Sequence, residues 1–372
     1  MSIARLNQSL FGRWWWTIDR WTVLAIAILC GFGGVLILAA SPAVANRIGA
    51  DSFYFVRHQM MMMPPTLLLL FVVSMQSPRT VRRIALIGFV IAIVLLAMTF
   101  LMGTEIKGAR RWISFAGVTV QPSEFIKPCF AVLAGWFFSL QKKEGNKIPG
   151  NLVAIGLYVL VVGMLLKQPD LGQAIVISAI WFAEFYLAGL PIFLVLVLML
   201  AGAGGLVGAY FIFPHVQSRI DRFINPASGD SYQVTRSMEA FANGGLWGRG
   251  PGEGTVKNYL PDAHADFIFA VAGEELGLVI CLFIVLVFAF IVLRSLSRLT
   301  TERNYFVVLA GTGLVVQFGL QAIINMSSTL HLIPTKGMTL PFLSYGGSSL
   351  LALGLGTGMM LAFTRRRYGQ DE

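Results

Sequence analysis

Apolar residues in this chain of 372 collect into ten runs, at about 21–40, 55–75, 84–101, 124–140, 151–167, 170–187, 190–213, 267–293, 304–326 and 345–363. Most are long enough to cross the ~30 Å of hydrocarbon in a bilayer. A backbone in lipid must satisfy its own hydrogen bonds, so such runs fold as helices. The fifth and sixth are short for a full crossing, and only Lys167-Gln168-Pro169-Asp170 separates them. Composition agrees, with 56% of residues hydrophobic and 12% charged, against about 25% charged in an average soluble chain. The expected fold is an all-α polytopic integral membrane protein of about ten transmembrane helices. It forms a single domain over 1–372, with residues 1–20 ahead of the first helix, a large outer loop at 214–266 between the seventh and eighth, and a tail at 364–372.

Ten crossings place both termini on one side. The segments on that side carry Arg5, Arg13, Arg20, Arg79, Arg82, Arg83, Lys142, Lys143, Lys147, Arg294, Arg298, Arg303 and Arg365 to Arg367. Lys and Arg enriched in short loops mark the cytoplasmic face, so both termini are cytoplasmic. The net charge of +10 is therefore mostly topological. No basic stripe interleaved with aromatics lies outside these loop ends, and nucleic acid is not an expected partner. No cleavable leader is expected, because the first apolar run is span-length and follows Trp14-Trp15-Trp16, which reads as an interfacial anchor. Cys30, Cys129 and Cys281 fall inside spans without metal-ligand spacing and read as packing residues.

Three outer segments are too polar to be turns: 102–123, 214–266 and 327–344. A loop as long as the second is usually functional or disordered, and its aromatic and aliphatic residues argue for order. Next to it lies PDAHADFIFAVAGEELG at 261–277, which sets Asp262, His264 and Asp266 at the mouth of an apolar helix and two glutamates inside it. Acids in a membrane helix are costly and mark functional candidates. Asp266 has two readings, a helix N-cap or a reacting carboxylate above the small-residue face of Ala270, Gly273 and Gly277. Glu274 and Glu275 should lie roughly 12 to 13 Å deeper and pair structurally, with Lys127 as a candidate partner.

The outward helix starts carry Pro122-Ser123-Glu124, Pro169-Asp170, Ala265-Asp266 and Leu343-Ser344. Each offers a capping side chain. Brought together, these positive dipole ends would suit an anionic headgroup. Lys107, Arg110, Arg111 and Trp112 form a basic cluster beside a tryptophan, and Lys336 follows Pro334-Thr335. Such clusters serve either as an interfacial feature or as bidentate phosphate contacts. Tyr345-Gly346-Gly347 after Ser344 permits close packing or close ligand approach.

The motifs KGARRWI at 107–113, QPSEF at 121–125, QPDLG at 168–172, DAHADFIFAVAGEELG at 262–277 and PTKGMTLPFLSYGGSS at 334–349 together resemble the SEDS family of bacterial peptidoglycan glycosyltransferases. The runs GEELG at 273–277 and PTKG at 334–337 are similar to its cell-division branch more than its elongation branch. Ala265 stands where the family usually has threonine, and His331 where glycine is common. The resemblance implies polymerisation of lipid II, the undecaprenyl-pyrophosphate-linked disaccharide-pentapeptide, at the outer face of the cytoplasmic membrane during septal wall synthesis. It implies Asp266 as general base. Lys107, Arg110, Arg111, Trp112, Lys336, Ser344 and Tyr345 would meet the substrate, with Glu124, Lys127, His264, Glu274 and Glu275 in support. No cofactor is evident, and a divalent cation is left open. Implied partners are a class B penicillin-binding protein transpeptidase, other divisome membrane proteins and membrane lipid. Two other readings share these features: a lipid II flippase, and a non-catalytic divisome scaffold for a transpeptidase.

Overall fold

The computed structural model describes residues 10–106, 109–115, 118–143, 145, 148–189, 191–212, 214–224 and 232–366. A short helix α1 (Leu10–Thr17) leads into α2 (Arg20–Arg47), α3 (Tyr54–Ser74) and α4 (Pro78–Met102). After three strands come α5 (Pro122–Gln141), α6 (Gly150–Lys167), α7 (Leu171–Leu187) and α8 (Ile192–Ile212). The outer segment then holds α9 (Pro214–Ile224) and α10 (Tyr232–Gly244), followed by α11 (Ile268–Leu299), α12 (Tyr305–Thr329) and α13 (Gly347–Phe363). A helix thus stands at every expected span, the fifth and sixth being separate. Among the described residues seven helices, α2 to α6, α11 and α12, are long and apolar enough to cross a membrane, while α7 and α13 are shorter apolar helices.

Local chemistry sets several helix starts. Ser77 caps α4 by accepting from Thr80 N, with Pro78 in the first turn, where a missing N–H costs nothing. Asn304 caps α12 through Val307 N and Asp170 caps α7 through Gln173 N. Helices α5, α12 and α13 form the enclosed centre, whereas α2, α3, α4 and α6 leave apolar faces outward for lipid. Small residues govern the close contacts: Gly354 and Gly358 of α13 sit against backbone of Thr66 and Leu70 in α3.

The basic loop ends gather at one end of the bundle. Arg294 Nε lies 2.6 Å from Asp19 Oδ2 and Arg298 Nη2 3.2 Å from Asp19 Oδ1. Arg365 donates to Thr17 Oγ1 and to the carbonyls of Ser74 and Met75. The tryptophan triplet divides: Trp14 is buried and donates to Ser74 Oγ, while Trp15 and Trp16 stay exposed beneath the Arg20 guanidinium. Only the latter two keep the interfacial character expected of all three. Cys129 and Cys281 are buried and all three cysteines are unbridged, as packing residues should be.

At the other end, the 102–123 segment folds as β1 (Thr104–Ile106), β2 (Ala109–Phe115) and β3 (Val118–Val120), an antiparallel sheet in the order β1-β2-β3. A larger departure lies in α11. Gly277 breaks it with φ 79° and ψ 175°, a conformation that glycine adopts readily. The break is filled by the loop after α10: Arg249 N and Gly250 N donate to the carbonyls of Glu274 and Glu275, and Leu278 N and Val279 N donate to those of Gly245 and Leu246. Glu274 and Glu275 are therefore not deep in a continuous membrane helix. They end a short outer half, 268–276, and the small-residue face receives α10 and its loop, with Phe241 against Gly273 and Gly248 against Gly277.

Candidate functional site

Asp266 sits in a turn ahead of α11 rather than capping it. The cap position belongs to Phe267 and carries no side-chain bond, because Ala265 N and Phe267 N both fold back to Asp262 O. Neighbouring backbone is held on three sides. Asn325 Nδ2, buried in α12, donates to Asp266 O at 2.9 Å and to Met338 O at 2.6 Å. Ser344 Oγ donates to Ala265 O at 2.7 Å and accepts from Leu340 N at 2.8 Å. Tyr345 N donates to His264 O at 2.9 Å. These bonds join the Asp266 turn to the 336–345 loop. Asp266 Oδ2 then lies 3.3 Å from where a Cβ would stand on Gly337. Lys336 is the next residue, and its Cδ lies 3.8 Å from the corresponding point on Gly172, as does Asp170 Oδ1. A half-buried carboxylate, a half-buried lysine and the start of α7 thus face outward together, with exposed Gly337 between acid and base.

The four outward helix starts do converge. Gln121 N, ahead of α5, donates to Ser348 Oγ of α13 at 3.2 Å. Of the four, only Asp170 caps by its side chain; α5 and α13 begin at Gln121 and Gly346 without one. Glu124 instead joins a buried network. Lys127 Nζ is 2.8 Å from Glu124 Oε2 and donates to Gln321 Oε1 at 3.0 Å. Gln173 Nε2 donates to Glu124 Oε1 at 2.5 Å, and Gln321 Nε2 to Thr339 O at 3.1 Å. Helices α5, α7 and α12 are thereby tied to the loop that carries Lys336.

Lys127 is consequently not the partner of the glutamate pair, contrary to the expectation from sequence. Glu275 pairs with Lys257 and accepts from Gly252 N and Gly254 N. Glu274 accepts from Asn243 Nδ2, Thr255 N, Val256 N and Lys257 N, all at 2.7 to 2.8 Å. The break at Gly277 turns both acids toward the outer loop, where they order residues 250–260. Arg47 at the end of α2 takes the carbonyls of Lys257, Asn258 and Leu260.

Strand alternation separates the basic cluster. Arg111 donates to the carbonyls of Gln168 and Pro169 and lies 3.7 Å from Asp170 Oδ2, so it braces the α6–α7 turn beside Lys336. Arg110 and half-buried Trp112 occupy the opposite face of β2, paired across to Glu105 and Thr104. Lys107 lies outside the described residues. His264 is buried, its ring 4.1 Å from Phe55 and 5.2 Å from Tyr345. Burial, reinforced by Arg47, holds its pKa down to about 4 although Asp262 opposes this. His331 has φ +56°, the left-handed region that favours glycine, which gives a backbone reason for glycine being common there.

Asn325, Gln321 and Gln173 were not singled out from sequence. A signal existed: Gln317, Gln321 and Asn325 recur every four residues along one face of an apolar helix. Among the described residues no group of three or more His, Cys, Asp or Glu side chains is placed to hold a metal ion. A cage built from protein side chains therefore does not fit these described residues, whereas magnesium-type sites use one or two carboxylates plus substrate phosphates.

The fold and site define a polytopic helical membrane protein with a fixed carboxylate and cationic groups at its outer end. Residues 20–369 match the family described as Cell cycle protein, which groups FtsW, RodA and SpoVE, and the chain belongs to that family. It is 45% identical over 370 residues to the "Probable peptidoglycan glycosyltransferase FtsW" of Caulobacter vibrioides, covering 99% of this chain and 94% of that one. The Coxiella burnetii protein of the same name is 34% identical over 93% of this chain and 96% of its own. Among solved structures, a chain of a peptidoglycan synthase complex that coordinates polymerization and crosslinking aligns at TM-score 0.76 and 25% identity, over 95% of this chain and 99% of its own. Thermus thermophilus RodA aligns at TM-score 0.66 and 25% identity, over 93% and 96%.

Proposed function

We propose that this protein is a peptidoglycan glycosyltransferase that polymerises lipid II at the outer face of the cytoplasmic membrane, in the division septum. The names of its FtsW relatives support this, and the observation that carries it is the clamped Asp266 turn beside Lys336. Asp266 acts as general base, taking the proton of the acceptor sugar's 4-hydroxyl as that oxygen bonds to the donor's anomeric carbon and the lipid pyrophosphate departs. A positioned base contributes on the order of 10²–10⁴-fold. The leaving group is a stable anion and needs charge stabilisation more than a proton. Lys336 supplies it directly, Arg111 sets the α7 start beside it, Arg110 and Trp112 meet the substrate from β2, and Lys107 adds a further cation. Ser344 and Tyr345 hold the turn through its backbone. A divalent cation enters only as a companion of the substrate's own pyrophosphate. The working partners are a class B penicillin-binding protein and other divisome membrane proteins, in line with the neighbour in a synthase complex.

One observation favours lipid II translocation as a second reading. Glu184, fourteen residues into α7 from its outer cap, is fully buried with both carboxylate oxygens lacking a hydrogen-bond partner among the described residues, so polar groups extend into the inner half of the bundle. Detergent-dispersed lipid II has no bilayer to cross. Glycan strands made from it by the purified chain with its transpeptidase partner identify a polymerase; no strands there, with lipid II crossing intact in vesicles, would overturn the proposal.

A further inference from the structure

At the cytoplasmic end, a cavity of about 1530 Å³ opens among the ends of α4, α5, α11, α12 and α13. We infer that it is a binding site for the headgroup of an anionic phospholipid. Arg79, Arg82, Lys143, Arg303, Arg365 and Arg366 line it, against a single lining acid, Glu302. Arg294 and Arg298 line it too, and share the single carboxylate of Asp19, which offsets one of their two charges. Glu302 is engaged in capping, its Oε1 accepting from Arg303 N and Asn304 N. The balance of charge in the cavity is positive.

The positive-inside rule explains why cations occur in these loops. It does not require segments as distant as 77–82, 136–143, 294–306 and 363–366 to wall one space. Two further features point to a phosphate. The starts of α4 and α12, at Ser77-Pro78 and Asn304-Tyr305, both line the cavity; Ser77 and Asn304 each cap one N–H there, and the positive ends of the two helix dipoles add potential that favours an anion. Guanidinium groups also match phosphate oxygens in pairs.

The choice of a lipid over a soluble phosphate rests on the remaining wall. Trp136, Tyr305, Phe306 and Phe363 supply an aromatic side to the same cavity, with the Arg82 guanidinium 4.7 Å from the Trp136 ring. The volume exceeds the roughly 300–1,000 Å³ usual for small-molecule sites. A cationic rim over an aromatic wall at the membrane surface suits an amphiphile, and basic pockets between transmembrane helices on this side take phospholipid headgroups. Inorganic phosphate would leave the aromatic wall uncovered.

The test is native mass spectrometry of the full chain purified in detergent, with cardiolipin as the anionic probe and phosphatidylcholine as the zwitterionic one. Cardiolipin should stay bound and phosphatidylcholine should not. The double variant Arg79→Gln/Arg303→Gln should weaken cardiolipin on the order of tenfold or more. Arg20→Gln/Arg83→Gln removes the same charge from the same face outside the cavity and should change it less than twofold. If the double variant does not fold, Arg303→Gln alone should weaken binding about fivefold. Equal weakening by both pairs means general surface charge and overturns the site. Full displacement of cardiolipin by millimolar inorganic pyrophosphate assigns the cavity to a soluble anion and overturns the lipid.

Discussion

Replacing Lys127 by methionine should damage the protein more than replacing Lys127 and Glu124 together. Lys127 and Glu124 are 1% and 5% exposed, and the ammonium is the only cation paired to that carboxylate among the described residues. Without it, Glu124 keeps Gln173 Nε2 as its polar partner and its charge stays buried. Breaking a buried pair in this way costs about 3–5 kcal/mol. In Glu124→Gln/Lys127→Met the charge is gone and the new amide still accepts from Gln173. One neutral acceptor, Gln321 Oε1, then loses its donor, for about 1–3 kcal/mol. The double variant should therefore be the more stable by roughly 2 kcal/mol. The assay is the denaturant midpoint of purified protein in detergent, followed by tryptophan fluorescence. A double variant as unstable as Lys127→Met, or worse, refutes the reasoning, because the cost would then lie in lost packing rather than in an orphaned charge.

Three further outcomes follow from the geometry. Gly337→Ala puts a methyl 3.3 Å from Asp266 Oδ2; displacement by a few tenths of an ångström should cut kcat on the order of tenfold with KM little changed, and an unchanged kcat would contradict the contact. His264 binds its proton near pH 4 when folded, below its ordinary 6.5. The unfolded chain therefore takes up that proton first, and stability should fall as pH drops from 6.5 to 4, by about 3 kcal/mol at most; His264→Phe should flatten the profile, and an identical acid loss in the variant would remove His264 as its source. Glu274→Gln turns one acceptor toward a donor from the loop backbone, at a cost of about 1.5–3 kcal/mol. Limited proteolysis within 250–260 should then quicken tenfold to hundredfold, and unchanged cleavage would mean that Glu274 does not order the loop.

The spans were legible because a bilayer leaves an apolar run little choice of structure, and helices stand at all ten. Asp266 stands out as a candidate for a related reason: an acid at the mouth of such a run is expensive enough to call for a role. What the chain does locally there was less so. Sequence places Asp266 next to α11, but only the Asp262 carbonyl and the bonds from Asn325 and Ser344 make the turn that moves the cap position on to Phe267. The glutamates misled because periodicity carries a helix straight through Gly277; the break exists only because the loop after α10 supplies four backbone partners from far away in sequence. Lys127 was assigned to the wrong acids although Glu124 lies three residues away, since apolar composition hides which side of a helix meets another polar one. The alternation of ARRWISF is the readable sign of β2, a weak signal in a chain dominated by spans.

The central claim is that Asp266 is the base of a glycosyl transfer. Its most direct test is lipid II polymerisation by the purified protein with its class B partner, comparing wild type with Asp266→Asn, which keeps the shape and the backbone clamp but removes the base. Wild type should make glycan strands and the variant should lose activity on the order of 10²-fold or more, with stability unchanged. Polymerisation by Asp266→Asn at the wild-type rate would contradict the claim.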